Sequence, residues 1–333
     1  MRSWRLPSAL LPIALAACAA TESPATVRWG TRRIVENLRH EDGVTALEFG
    51  PRGAVLLSGD CSGDLAAWGA ATGVLLWKAR AHRGAVLRAA VSPDGALAAS
   101  LGEDHRVVAR DLATGAQRWS ARLPEGGIAV GQGLAFSPDG TRIAAAGLDP
   151  CVHILSAADG RILHSIVTEG STSLAWAVDG ARVFAGSWSC EVAILDPATG
   201  IQIGNWVDPG AGKGAFHGVL ALAPSADGKL LAEGDEDGTV RFWDAVLGKP
   251  LFSYIAVDRP VLAIDEEGLA VGGGMGYGRA GSRPNLDIAI DGDPLPAIFV
   301  AAAALSPSVR RMALGTREGR VLVLEAVAAG TGR

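Results

Sequence analysis

The chain is poor in tyrosine, methionine and cysteine, with two, three and four of them among 333 residues. Four cysteines are too few for a fold held by disulfides, which excludes the small cysteine-stapled scaffolds. An excess of basic residues is also lacking. Lys and Arg number 30 against 35 Asp and Glu, a formal charge of −5, so nucleic acid is not expected as a partner. Long apolar runs are missing too. Ala9–Ala17 is interrupted by Pro12, and residues 298–305 make a run of only eight; a membrane-spanning helix needs about 20. What is present is 49% hydrophobic residues, 44 glycines and nine tryptophans. That is enough to bury a large core, and the glycines suit tight turns between short strands.

The N-terminus carries an address. Residues 1–17 join Arg2 and Arg5 to the apolar run, the pattern of an export signal, and lead through Leu15-Ala16-Ala17 into Cys18. Residues 15–18 resemble the lipobox of bacterial lipoproteins. The resemblance implies cleavage before Cys18, a diacylglycerol on its thiol, an acylated amine and hence a lipid anchor. The processed chain would hold 28 basic and 35 acidic residues, a formal −7. Ala19 rather than Asp follows the cysteine, which in that family implies the periplasmic face of the outer membrane. Residues 18–26 are then a tether.

The remainder repeats. Turns ending at Gly53, Gly95, Gly140, Gly180, Gly228, Gly268 and Val309 are spaced by 42, 45, 40, 48, 40 and 41 residues, a period that marks one supersecondary unit used seven times. Each unit has the same grammar: apolar strand, S-P-D-G-type turn, second strand, tight turn, third strand, a turn such as Ala71-Thr72-Gly73 or Ala198-Thr199-Gly200, and a fourth strand. Four short antiparallel strands make a propeller blade. The fold class expected is all-β: a seven-bladed β-propeller over residues 27–325, with a C-terminal tail at 326–333. The seventh unit lacks a fourth strand, and Arg33–Leu38 is expected to supply it, which would remove an exposed sheet edge. In that arrangement the N-terminal end of the segment lies on the side of the short turns. The eight residues of Ala19–Thr26 span at most ~29 Å, so the short turns are expected to face the lipid.

The S-P-D-G turns, the stretch D-G-T-V-R-F-W-D at 237–244, and His40 and His82 four residues before Val44 and Val86 resemble the WD-repeat β-propeller family. In that family a His, a Ser or Thr, an Asp and a Trp form a hydrogen-bonded chain within a blade. Unit one offers His40, Ser58 and Trp68, with Ser62 where the Asp belongs. Unit two offers His82, Ser100 and Asp104, with Arg110 for the Trp. Unit five keeps Asp237 and Trp243, with Ala215 for the His. No unit is expected to hold the full set. Gly73/Trp77 and Gly115/Trp119 resemble the docking motif of quinoprotein-type propellers, with His164, Gly204 and Phe252 at the later positions; inter-blade packing is the expected role.

Other motifs are weak. Gly276–Gly281 matches G-x-G-x-x-G, but Ser282-Arg283-Pro284 follows in place of a helix. Residues 210–214 lack the spacing of a P-loop. Asp235 and Asp237 begin a calcium-loop pattern with no glutamate at its twelfth position. Cys61, Cys151 and Cys190 fall near second-to-third-strand turns and are expected as buried thiols, with Cys151–Cys190 the one disulfide left open. The six histidines show no metal-ligand spacing, so neither a metal nor a cofactor is expected.

The expected function is a non-enzymatic scaffold that binds a protein or peptide partner and reaches the membrane through its anchor. A quinoprotein-like or metal-bearing propeller enzyme and an outer-membrane assembly lipoprotein are the alternatives. The binding face is expected on the side of the longer loops, 208–218 and 273–284, with Trp188, Lys213, His217, Tyr277, Arg279 and Arg283 as candidate contacts, because aromatic and Arg side chains anchor interfaces.

Overall fold

The computed structural model describes residues 30–124, 133–147, 149–207, 218–236, 239–255, 289–290, 293–294, 300–305 and 311–327. These are strands and turns throughout. Five sheets are four-stranded and antiparallel, each formed by consecutive strands. The first holds β2 (Val44–Phe49), β3 (Val55–Asp60), β4 (Asp64–Gly69) and β5 (Leu75–Arg80). The second holds β6 (Val86–Val91), β7 (Leu97–Gly102), β8 (Arg106–Asp111) and β9 (Gln117–Arg122). The third is β10 (Leu134–Phe136), β11 (Arg142–Ala146), β12 (Cys151–Ser156) and β13 (Ile162–Val167). The fourth is β14 (Ser171–Trp176), β15 (Val183–Ser187), β16 (Glu191–Asp196) and β17 (Ile201–Val207). The fifth is β18 (Val219–Pro224), β19 (Leu230–Asp235), β20 (Thr239–Asp244) and β21 (Lys249–Ile255).

The last sheet joins the two ends of the chain. It runs β23-β22-β1-β26-β25-β24, with β24 (Val300–Leu305), β25 (Arg311–Thr316) and β26 (Arg320–Val327). β1 (Gly30–Arg39) lies antiparallel to β26, pairing Gly30 with Val327 and Arg39 with Arg320. It therefore takes the fourth-strand place, three residues longer at its start than the expected segment. It is not the outermost strand. A short pair, β22 (Ala289–Ile290) and β23 (Asp293–Pro294), flanks it, with β22 parallel to β1. The rest of the expected sixth unit lies outside the described residues.

Turn chemistry sets this frame. Ser92 Oγ donates to Asp94 at 2.6 Å and accepts from the Leu97 N–H at 2.8 Å, while Gly95 closes the turn at φ 75°, a conformation costly for a residue with a Cβ. Ser137/Asp139 and Ser225/Asp227 repeat the arrangement.

Sheets stack face to face, so second and third strands are buried on both sides: β4 and β8 read half-buried at their ends and buried between. The first strands converge, with β24 against β2, β2 against β6, β6 against β10, β10 against β14, and β14 against β18. One interlock recurs here. Val86 of the second sheet sits against Gly59 of the first, where an added Cβ would stand 2.5 Å from it. Val219 meets Gly186 in the same way, and Val44 meets Gly315. The joint between the last sheet and the first thus uses the device that joins consecutive sheets. Leu38 is fully buried in the cluster formed there with Val44, Ala313, Val321 and Val323.

Candidate functional site

A buried hydrogen-bond chain organises the first sheet. Trp68 Nε1 donates to Ser58 Oγ at 2.7 Å, Ser58 Oγ lies 2.6 Å from His40 Nε2, and His40 Nδ1 lies 2.7 Å from Asp60. Asp60 also accepts from Ser62 Oγ and from the Gly63 and Asp64 amides. The full His-Ser-Asp-Trp set is therefore present, which corrects the expectation that no unit would have it. The carboxylate comes from the end of β3, two residues before Ser62. Ser62 lies in the turn after β3, where its hydroxyl donates to the Asp60 carboxylate. Burial holds the His40 pKa below 6.5, although Asp60 pulls the other way, consistent with a neutral ring that donates to Asp60 and accepts from Ser58.

The second sheet keeps three members, as expected: His82 bonds Asp104 and Ser100 at 2.8 Å each. Arg110 replaces the Trp and donates to the carbonyls of Gly115 and Arg80. In the third and fifth sheets the basic member moves onto the third strand. His153 on β12 bonds Ser165 and Asp149. Arg241 on β20 bonds Glu233 at 2.8 Å and Asp235 at 3.1 Å, while Trp243 Nε1 donates to Glu233. Burial, reinforced by the neighbouring Asp235 carboxylate, pushes the Glu233 pKa up to about 8. Asp235 is thus committed to a buried ion cluster. Asp237 and Ala215 lie outside the described residues.

The outer strands dock sheet to sheet. Trp77 Nε1 donates to the Leu112 carbonyl at 2.7 Å, and its ring lies where a Cβ on Gly115 would be, at 2.7 Å. Trp119 stands in the same relation to Ala157 and Gly160, and His164 to Gly200. In the fourth sheet Gly204 holds the expected position, but the ring is supplied by Trp206, two residues on, which packs on Gly248 and stacks with Trp243 at 5.6 Å. Arginines brace the same joints: Arg142 reaches the Pro197 carbonyl and Arg182 the Ala245 carbonyl.

Of the candidate contact residues, the structure describes Trp188 alone. It is 42% exposed, in the β15–β16 turn, and packs over Gly218. Cys18, Lys213, His217, Tyr277, Arg279 and Arg283 lie outside the described residues. Cys61, Cys151 and Cys190 form no disulfide; Cys190 is buried as expected, but Cys151 is only half-buried and Cys61 is exposed. Among the described residues no three His, Cys, Asp or Glu side chains are gathered to hold a metal.

A groove of about 230 Å³ opens between the third and fourth sheets. Val167, Glu169, Ser187, Glu191, Gln202 and Asn205 are among the residues lining it. Most come from the ends of β13, β15 and β17 and the start of β16, the end of the sheets opposite the S-P-D-G turns and the same end as Trp188. Ser189 Oγ donates to Glu169 at 3.2 Å, and Asn205 donates to Glu191. No residue lining the groove is cationic. Sequence reasoning missed it because its walls come from two units.

The family model described as outer membrane protein assembly factor BamB matches this chain over residues 26–127, 62–207 and 103–259. WD repeat-containing protein SL1-17 of Schistosoma mansoni is 26% identical over 225 residues, covering 65% of this chain and 71% of that protein. Small ribosomal subunit protein RACK1y of Oryza sativa subsp. japonica is 30% identical over 158 residues, 44% of this chain and 46% of that protein. The repeated four-stranded sheets, their docked rings and these matches agree: the chain belongs to the β-propeller family whose model is described as outer membrane protein assembly factor BamB, and it has WD-repeat proteins among its relatives.

Proposed function

We propose that this protein is an exported, lipid-anchored, non-enzymatic scaffold that binds a protein or peptide partner on a closed seven-bladed propeller. The observation that carries the binding reading is the acidic groove between the third and fourth sheets, at the same end as the exposed Trp188. A hydrogen-bonding cleft at the same end of the sheets as an exposed aromatic suits capture of an extended, basic segment. The Val44–Gly315 interlock and the β1–β26 pairing support ring closure. Cys18 in its lipobox-like setting and the family's outer-membrane description support the address. That description also favours a part in outer-membrane assembly over the enzyme alternative.

The test is capture of a partner from solubilised envelope, identified by mass spectrometry. Trp188→Ala and Glu191→Gln should each cut recovery of one reproducible partner at least several-fold while leaving the melting temperature within a degree or two. Unchanged recovery with both variants would move the binding face elsewhere.

A further inference from the structure

At the opposite end of the sheets the exposed apolar side chains gather in two places, Val74, Leu75 and Leu76 where β5 begins, and the turns of the fourth and fifth sheets, where the departures from the repeat lie. Between third and fourth strands the repeat places Ala71-Thr72, Ala113-Thr114, Ala158-Asp159 and Ala198-Thr199 before the glycine; the fifth sheet places Val246-Leu247 there. These side chains are 66% and 65% exposed. The fold does not require them. Asp244 caps the Val246 and Leu247 amides at 2.9 and 2.8 Å, as Asp196 caps Ala198 and Thr199. Between first and second strands, the fourth sheet carries Val178 where three others carry Pro51, Pro93 and Pro138, and Val178 is 44% exposed.

These departures are neighbours. Val178 lies 3.9 Å from where a Cβ on Gly228 would stand, in the adjoining turn of the fifth sheet, and Arg182 binds the Ala245 carbonyl next to Val246. Ile201, Ile203 and Leu251, also exposed, begin the two outer strands beside them. Contiguous exposed apolar side chains mark a contact surface.

The register says what covers it. Gly30 pairs with Val327 at the end of β26, which puts the entry of β1 at the same end of the sheets as these turns. Eleven residues lie between Cys18 and Gly30, and their twelve Cα-to-Cα steps reach at most ~43 Å. We infer that Val178, Val246, Leu247 and the flanking Ile201, Ile203 and Leu251 form a second, non-covalent contact with the lipid bilayer, on the face that the anchor holds against it. The turn aspartates and Lys229 and Lys249 mix both signs around the patch, so the contact is apolar rather than dependent on anionic lipid. This rests on the lipid-anchor reading.

The experiment places a nitroxide at Leu247→Cys, or at Thr114→Cys in the equivalent turn of the second sheet, in full-length lipidated protein with Cys61→Ser and Cys151→Ser. The protein is reconstituted in phosphatidylcholine vesicles. Flotation reports the anchor; relaxation by oxygen against an aqueous nickel chelate reports depth. The inference expects flotation with both labels, oxygen-dominated relaxation at 247 and nickel-dominated relaxation at 114. Flotation with nickel-dominated relaxation at 247 overturns the patch and leaves the anchor standing. Failure to float overturns both. Spin–spin broadening at 247 in dilute vesicles would assign the patch to a second copy of the chain instead, and overturns the lipid contact.

Discussion

Removing residues 33–38 should make the protein aggregate. The deletion takes most of β1 from the last sheet, leaves the outer edge of β26 unpaired, and opens the cluster closed by the fully buried Leu38. An apolar strand with a free edge is a template for pairing with another chain. Burial of one leucine is worth ~2–3 kcal/mol, and the lost backbone ladder adds to it. The gentler Leu38→Asp keeps the strand but places an unpaired charge in the core. Deletion should move the protein into the void volume on size exclusion. Leu38→Asp should lower the melting temperature by about 10 °C or more, since each ~1 kcal/mol shifts a large domain by a few degrees. A deletion variant that stays monomeric with unchanged melting would make this segment a linker.

Asp60→Ala should be the most damaging polar substitution among the described residues. It strands His40 Nδ1, Ser62 Oγ and two backbone amides inside a site where His40 and Asp60 are fully buried. An unsatisfied buried donor costs ~1–3 kcal/mol, and breaking a buried charged network ~3–5 kcal/mol. Asp104→Ala in the second sheet offers the comparison. Its carboxylate is 14% exposed and its network has no Trp member, so water can replace more of what is lost. The expected order in urea is a clear drop in midpoint for Asp60→Ala and a drop less than half as large for Asp104→Ala.

Acid should act on the same networks. His40 and His82 are held below 6.5 and Asp60 and Asp104 below 3.8. Below 6.5 the unfolded chain therefore binds protons that the folded histidines refuse, and stability falls as the pH drops through that range and again as it drops below 3.8. Equal effects of the two alanine variants, or an Asp60→Ala protein as stable as wild type, would show that packing alone holds the first sheet.

The repeat was legible in the sequence because its turns impose fixed chemistry at fixed places. Ser92-Pro93-Asp94-Gly95 and Ala113-Thr114-Gly115 can each do little but turn the chain, so the strands between them follow. The use of β1 as a fourth strand was legible for a similar reason, as a unit short of a strand demands one from elsewhere. The networks were harder. A repeat aligns residues by position, whereas a hydrogen bond is satisfied in space. Asp60 does the work looked for at 62, Trp206 that looked for at 204, and Arg241 on β20 partners Glu233 in the unit where Ala215 stands at the expected histidine position. The Trp206 shift is two residues along one strand face, and the Asp60 shift runs from the turn back to the end of β3. The third is a substitution from a neighbouring strand, invisible to any linear template. The groove was illegible for the same reason, since Val167 and Asn205 meet only when two sheets stack.

Both faces take their orientation from the β1–β26 register, because it decides at which end of the sheets the tether enters. A disulfide can test it directly. Arg32 and Glu325 are paired within the uninterrupted part of the ladder, Gly30–Arg33 against Leu324–Val327, and cysteines at directly paired positions of a regular ladder fall near the ~5.5 Å Cα separation a disulfide favours. Arg32→Cys with Glu325→Cys, oxidised in the folded protein and digested, should yield a single cross-linked peptide joining the two ends of the chain. It should form in the monomer and raise resistance to urea. Free thiols at both positions under the same oxidation, or links only between different molecules, would contradict the account.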